Sequence, residues 1–578
     1  MSAEAGLRES CRETLTMRRD ARRIITVICA CLCLGLTACG GSSNNSQSHT
    51  TDAARTPSVA PSPTLGQPDP PVASFDPNQH KVIDHHGNPD RRKLNVPSSM
   101  PQGMKPASGR TMHSFLTQRI TWNPCGDKYC AKVEVPLDWD HPEGPMITLA
   151  LKKHAADKAH GSGKGHRSGK GQGATLFLNP GGPGGSGQEM LDNFETDQFA
   201  DYDVIGWDPR GTGESTPVRC GTDAQTDAFH ALDFTPHSQA EWNALTSGAK
   251  TFAQQCRQAS GALLDHVSSI DSARDLDYLR YLVGDEKLTY LGVSYGTYLG
   301  AMYAELYPQR VGRMVLDSAV NITTKEPPSQ QEVFDKSFHE FATWCAQPRS
   351  HCPLKGTPDQ IVDQTKGFLD HLGSRRLTVR TVNKQAKLSE TDAATGIALF
   401  LYLGRQGYQQ LAGALSAALN DHDGSQLYAA AGYMYGRDPM SGKYDPTAYA
   451  FPAISCLDTG DDGMSEVRQD WDEARRKAPL LGEAMGADPV CAVWSTTPVP
   501  QLKLTAHAAA PIVVLGVTGD PATPYQQAQW MAQQLESAVL VTWKGSGHSA
   551  WSLGNQCLKD SVTRYINDGT VPKDGKIC

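Results

Sequence analysis

The sequence is short of most features that mark a specialised class of protein. It has no excess of either charge: 54 Lys and Arg against 62 Asp and Glu leave a net charge of -8 over 578 residues. Nucleic-acid binding would call for a basic face, so that class is not expected. The mild acidity points to no substrate. Aromatic residues reach only 7%, charged residues 20% and hydrophobic residues 39%, as in a soluble globular protein. Beyond the first 38 residues no apolar run is long enough to cross a bilayer. Paired CxxC motifs are absent, which argues against a zinc framework. The glycine-rich segment at 179–185 lacks the Lys-Ser/Thr ending of a P-loop and is not a clean G-x-G-x-x-G, so a phosphate cradle is not expected there. No internal repeat is evident. Neither a metal nor an organic cofactor is called for.

What is present begins with a targeting pattern. Arg18, Arg19, Arg22 and Arg23 precede an apolar stretch over 24–38, the layout of a signal peptide over residues 1–38. Met17 could serve as the start. The stretch ends in Leu36-Thr37-Ala38-Cys39-Gly40, which resembles a bacterial lipobox. That resemblance implies cleavage before Cys39 and a lipid on its thiol, hence attachment to the outer face of a membrane. Residues 39–110 form the expected lipidated tether. Over 40–75 this segment is Ser, Thr, Asn, Gln and Pro with too few large apolar side chains to fold. Residues 76–110 are read as wrapping the surface loosely, with the globular part starting near Ile120. The Gly, Lys, His and Ser stretch at 157–173 is read as a surface loop rather than a metal site.

Of the 15 cysteines, ten lie beyond the leader: Cys125, Cys130, Cys220, Cys256, Cys345, Cys352, Cys456, Cys491, Cys557 and Cys578. An even number in an exported chain suggests disulfides. Sequence does not fix connectivity; nearest-neighbour pairing, which closes the shortest loops, is the expected pattern.

The length exceeds a minimal core and suggests one large domain with an insertion, or two domains. Strand-like runs occur at 130–139, 146–153, 174–178, 202–207, 288–292 and 311–316, with helical spacing at 272–282 and from 295 to 307. Strands alternating with helices imply an α/β fold with a mostly parallel sheet flanked by helices. The alternation stops over 321–508, which looks mainly helical, for instance at 393–419. It resumes with strands at 511–516 and 538–542 and a helix over 556–567. The expected layout is an α/β core over 111–320, a helical cap over 321–508 inserted between the sixth and seventh core strands, and core again over 509–578.

The chemistry sits at strand ends. Gly292-Val293-Ser294-Tyr295-Gly296 is a G-x-S-x-G elbow between an apolar strand and an apolar helix. A nucleophilic serine needs that tight turn, flanked by small residues, to project its hydroxyl. It also needs a base held in one tautomer by an acid. In this fold the order is Ser, then Asp or Glu, then His. Asp520 and His548 follow the two later strands in that order, at the carboxyl edge of the sheet where open α/β folds place their sites. The oxyanion donors are expected to be the backbone N–H of Tyr295 and one from the turn at 181–185, with Gly182 favoured. Thr523 is expected to hydrogen-bond Asp520 or shape its loop. Asp208 precedes the serine and so has the wrong order; local pairing with Arg210 is expected instead.

These residues combine with Trp122-Asn123-Pro124-Cys125, Val135-Pro136-Leu137-Asp138-Trp139, Asn179-Pro180-Gly181-Gly182-Pro183-Gly184, Asp208-Pro209-Arg210-Gly211-Thr212-Gly213, Ala453-Ile454-Ser455-Cys456-Leu457-Asp458 and Thr518-Gly519-Asp520-Pro521-Ala522-Thr523-Pro524. From about residue 115 onward the set is similar to the secreted tripeptidyl aminopeptidases of actinobacteria, α/β-hydrolase relatives of prolyl iminopeptidase. The resemblance implies an exported serine aminopeptidase that releases short peptides from free N-termini, with a cap restricting entry. Peptide or protein N-termini are the expected substrate, and a monomer the expected state. The iminopeptidase glycine motif begins with His where this chain has Pro180, which argues for the tripeptidyl branch. A protonated substrate amine would want carboxylates; Asp458, Asp461 and Asp462 are the candidates, Asp458 first. The same triad would also serve a carboxylesterase or lipase, and a non-catalytic surface binding protein on this fold is the third reading.

Overall fold

The computed structural model describes residues 104–105, 110–157, 174–380, 386–460 and 463–578. The leader, Cys39, the tether to residue 103, the loop at 158–173, Asp461 and Asp462 lie outside the described residues. The strands are β1 (Asn123–Cys125), β2 (Lys128–Pro136), β3 (Met146–His154), β4 (Ala174–Asn179), β5 (Tyr202–Asp208), β6 (Leu288–Val293), β7 (Val311–Asp317), β8 (Leu377–Thr378), β9 (Lys387–Leu388), β10 (Ile512–Gly519), β11 (Ala538–Ser546) and β12 (Lys576–Ile577). Ten of them form one sheet in the order β1-β2-β3-β5-β4-β6-β7-β10-β11-β12, while β8 and β9 pair separately. The pairs β1/β2, β2/β3 and β3/β5 are antiparallel, and every later pair in the sheet is parallel. This mostly parallel sheet, flanked by helices, is the α/β-hydrolase fold.

Near-continuous apolar strands are what a sheet covered on both faces requires. Alternate residues of β4 go to opposite faces. Leu176 and Leu178 join Leu291, Val513 and Leu515 beneath the C-terminal helix, whereas Phe177 joins Tyr290, Met314 and Leu316 on the other side. Between β7 and β10 the chain forms helices around their own core of Phe334, Phe338, Ile397, Leu411 and Leu415. Among the described residues no helix is long and apolar enough to cross a membrane. The ten later cysteines pair in sequence order: Cys125–Cys130, Cys220–Cys256, Cys345–Cys352, Cys456–Cys491 and Cys557–Cys578.

The structure corrects two expectations and adds detail to a third. Globular packing begins before Ile120: Lys105 exchanges backbone hydrogen bonds with Met146 at 2.9 and 2.8 Å, and Phe115 is fully buried against Trp139. The helical stretch expected at 393–419 is two helices, Glu390–Tyr402 and Tyr408–Asn420, broken at Gly404. A Cβ on Gly404 would stand 2.3 Å from the Ser546 carbonyl oxygen, so the break is where the cap meets the core. Finally, Asp208 does not pair with Arg210. It accepts hydrogen bonds from Ser186 Oγ and Gln188 Nε2, both at 2.7 Å.

Arg210 instead forms a two-pronged ion pair with Asp275, Nε to Oδ2 and Nη2 to Oδ1 both at 2.7 Å, and Trp139 Nε1 donates to the same carboxylate at 2.8 Å. Both charges are fully buried. Removing one partner strands the other without solvent. Arg210→Met is expected to cost about 3–5 kcal/mol of stability. Denaturant unfolding checks this; a loss below about 1 kcal/mol, typical of an exposed pair, would contradict it.

Candidate active site

Four loops meet at the carboxyl edge of the parallel strands. The first is the elbow. Ser294 stands between β6 and helix Tyr295–Leu306 with φ 57° and ψ -126°. Such a conformation costs a non-glycine residue roughly 1–3 kcal/mol and persists only where the surroundings impose it. The flanking glycines show why they are needed. A Cβ on Gly292 would stand 2.4 Å from the Gly296 carbonyl oxygen, and one on Gly296 2.8 Å from the Asn179 carbonyl oxygen.

The second loop follows β10 and carries Asp520, whose side chain is fully buried. Its Oδ1 accepts the backbone N–H groups of Ala522 at 2.9 Å and Thr523 at 3.0 Å, and its Oδ2 accepts Thr523 Oγ1 at 2.9 Å. The third loop follows β11. There His548 Nδ1 lies 2.9 Å from Asp520 Oδ1 and 3.1 Å from Oδ2. An acceptor-only carboxylate assigns the proton to Nδ1 and leaves Nε2 as the base. None of the hydrogen bonds among the described residues runs from His548 to the Ser294 hydroxyl; in apo enzymes that bond often tightens only when substrate arrives.

Burial disfavours charge on His548, yet the Asp520 carboxylate, and Asp317 to a lesser degree, outweigh it and hold the imidazole above its ordinary value. Burial likewise opposes ionisation of Asp520, but His548 and the two loop N–H groups hold that carboxyl below the usual range. The pair therefore suits a base that gathers a proton while its acid stays ionised.

The fourth loop is the turn after β4. A Cβ on Gly181 would stand 2.9 Å from the Tyr295 backbone nitrogen, so this turn rests directly on the elbow. Gly182 is its exposed residue, at φ 109°. Among the described residues neither the Tyr295 nor the Gly182 backbone N–H donates to a protein acceptor.

Two features of the site escaped the sequence. Asp317, at the end of β7, is fully buried. Its carbonyl accepts the Ser294 N–H at 2.9 Å. Its carboxylate accepts Ser549 Oγ and the Ala550 N–H at 2.8 Å and the Trp551 N–H at 3.0 Å, capping the short helix behind His548. One residue, through its backbone carbonyl and its carboxylate, thus ties the serine loop to the histidine loop. An acid at a strand end followed by Ser318 was the available signal. The other feature is the cap: the Tyr402 carbonyl accepts the His548 N–H at 2.8 Å, and the Tyr402 ring meets the imidazole edge-on at 5.3 Å.

Asp458, expected to face a substrate amine, does not do so. It is 2% exposed, and its oxygens accept the Ser269 N–H at 2.8 Å, Ser269 Oγ at 2.7 Å and the Tyr295 hydroxyl at 2.8 Å. Helix Thr447–Asp458 packs it inside the protein, and burial pushes its carboxyl up to about 6. Among the described residues no group of three or more His, Cys, Asp and Glu side chains could hold a metal ion.

A strained strand-to-helix serine at one sheet edge with a buried aspartate–histidine pair defines a serine hydrolase of the α/β-hydrolase fold. The family model described as TAP-like protein matches residues 478–578. The chain is 34% identical over 496 residues to serine protease Hip1 of Mycobacterium tuberculosis, covering 80% of this chain and 91% of that protein. It is 34% identical over 506 residues to carboxylesterase B of the same organism, covering 82% and 93%. To the tripeptidyl aminopeptidase of Streptomyces coelicolor it is 29% identical over 496 residues, covering 79% and 85%. The chain belongs to this TAP-like family of serine hydrolases.

The raised imidazole fixes the sign of the pH dependence. Only neutral His548 can act as base, so kcat/KM should fall as pH drops through a midpoint above the ordinary 6.5 of histidine. Asp520→Asn should move that acid limb to lower pH and reduce kcat by about 10⁴-fold. pH–rate profiles of the two enzymes check this; an unmoved limb would uncouple the two residues.

Proposed function

We propose that the protein is an exported serine exopeptidase of the tripeptidyl-aminopeptidase type, releasing short peptides from free N-termini through an acyl-enzyme on Ser294. The observation that carries the acyl-enzyme is the Asp520–His548 pair at 2.9 Å on the same sheet edge as the strained Ser294 elbow; the peptidase part is supported by the relatives. In this reading His548 Nε2 takes the Ser294 proton as the hydroxyl attacks the scissile carbonyl. Asp520 holds the imidazole and stabilises its charge. The backbone N–H groups of Tyr295 and Gly182 receive the developing oxyanion. His548 then returns the proton to the leaving amine, and water resolves the acyl-enzyme by the same route. Two relatives bear peptidase names, one of them tripeptidyl aminopeptidase. Thr523, by its hydrogen bond to Asp520 Oδ2, fixes the acid's orientation.

Export is supported by the apolar stretch before Cys39 and by five disulfides in the folded part. Lipidation of Cys39 would then hold the enzyme at the outer face of the membrane. The name of the relative carboxylesterase B favours a second reading, an esterase using the same residues.

The test is mass spectrometry of a peptide library digested by the purified enzyme. Peptides shortened only from free N-termini, and left intact when those termini are acetylated, are expected. Ser294→Ala should abolish turnover while keeping the fold, a loss on the order of 10⁶-fold. Internal cuts, or hydrolysis of acyl esters with no peptide cleavage, would overturn the exopeptidase reading.

A further inference from the structure

One helix between β7 and β10, packed into the core of the sheet rather than into the separate helical core, touches both loops that supply the oxyanion donors. Helix Thr447–Asp458 is 12 residues long and lies across the elbow and the glycine turn. At its N-terminal end Thr447 Oγ1 donates to the Gly184 carbonyl at 3.0 Å. One turn further, Ala450 and Phe451 close on the same glycine. A Cβ on Gly184 would stand 2.8 Å from Ala450 Cβ and 3.2 Å from the Phe451 nitrogen. At its C-terminal end Asp458 accepts the Tyr295 hydroxyl and both donors of Ser269, and the two hydroxyls also contact each other. Tyr295 therefore has its backbone N–H at the elbow and its phenol tied to this helix.

The helix itself is pinned. Cys456 is bonded to Cys491, the Leu457 carbonyl accepts the Val499 N–H at 2.8 Å, and the Tyr449 hydroxyl meets Thr226 Oγ1 at 3.1 Å. A buried carboxylate with three donors on it is a rigid anchor, because each donor released would leave an unpaired polar group without water.

We propose that helix Thr447–Asp458 is a brace that sets the spacing of the two oxyanion donors, with Asp458 a positioning residue acting through the Tyr295 phenol. Asp458 touches no reacting atom; it fixes the residue whose N–H does. This rests on the reading of Tyr295 and Gly182 as donors for an acyl-enzyme on Ser294. Stabilisation of the oxyanion counts only in the transition state, so loosening the brace should lower kcat and leave KM alone.

The test is kcat and KM for Tyr295→Phe, Asp458→Asn and the double variant, on both a tripeptidyl anilide and an acyl ester, with near-UV circular dichroism confirming the fold. Displacing one donor is expected to lower kcat by about 10–100-fold on either substrate. The double variant should be no slower than the slower single one, since both changes break one link. If Asp458→Asn fails to fold, Tyr295→Phe decides alone, because it leaves Asp458 its two Ser269 donors. Full kcat in a folded Tyr295→Phe enzyme, a rise in KM at unchanged kcat, or losses that multiply in the double variant would each overturn the brace. Those results come from an active wild type and leave the hydrolase reading intact. A wild type inert toward both substrates would remove that reading and the brace with it.

Discussion

Asp317 is the hinge on which the site depends. Ser294, Asp520 and His548 come from three loops, and hydrogen bonds within any single loop cannot fix the distance between them. Asp317 does so by spending its carbonyl on the serine loop and its carboxylate on the three donors behind His548. Burial makes this firm, because a buried carboxylate deprived of its donors has no water to fall back on. Burial raises its own affinity for a proton, and the donors and the imidazole pull the other way. The strained backbone at Ser294 can persist because this neighbouring strand end holds it in place.

The cap is joined to that arrangement at two separate points. Tyr402 and Gly404 press on the histidine loop, and helix Thr447–Asp458 reaches the elbow and the glycine turn. A segment attached in this way is part of the frame that holds the site. It also narrows the meaning of the triad. Ester and amide hydrolysis place the same demands on Ser294 and His548, so those two residues alone do not choose between them.

Much of this was legible in the sequence, and the limits of legibility have a physical form. The strands could be read because strands buried on both faces are nearly continuous apolar runs, as at 174–178 and 511–516. Ser294, Asp520 and His548 stand out because each lies just past such a run, within a few residues of its end. The split of the helical stretch at Gly404 leaves no mark in the apolar spacing, because the residue crowded against it is Ser546, 142 positions further on in the chain. Asp458 was assigned to a substrate because an aspartate beside a cysteine has no local signature of burial. Its partners, Ser269 and Tyr295, lie more than 160 positions away in the chain. Arg210 posed the same difficulty, since an adjacent acid at 208 is a more obvious partner than one at 275. Contacts that join distant segments leave no periodicity behind them.

The two borders of the sheet are finished in a similar way. At one, β1 covers the start of β2, the Gln118 side-chain amide occupies the Glu134 N–H and carbonyl, and Cys125–Cys130 staples the hairpin. At the other, residues 574–578 bind Leu540 and Thr542 of β11 at 2.7–3.0 Å, and Cys557–Cys578 locks the last residue down. Unpaired strand borders are templates on which foreign chains can add. Here the long strands β2 and β11 are covered by short segments of the protein's own chain, each stapled by a disulfide, so the borders of the ten-stranded sheet are strands of only three and two residues, too short to invite another chain.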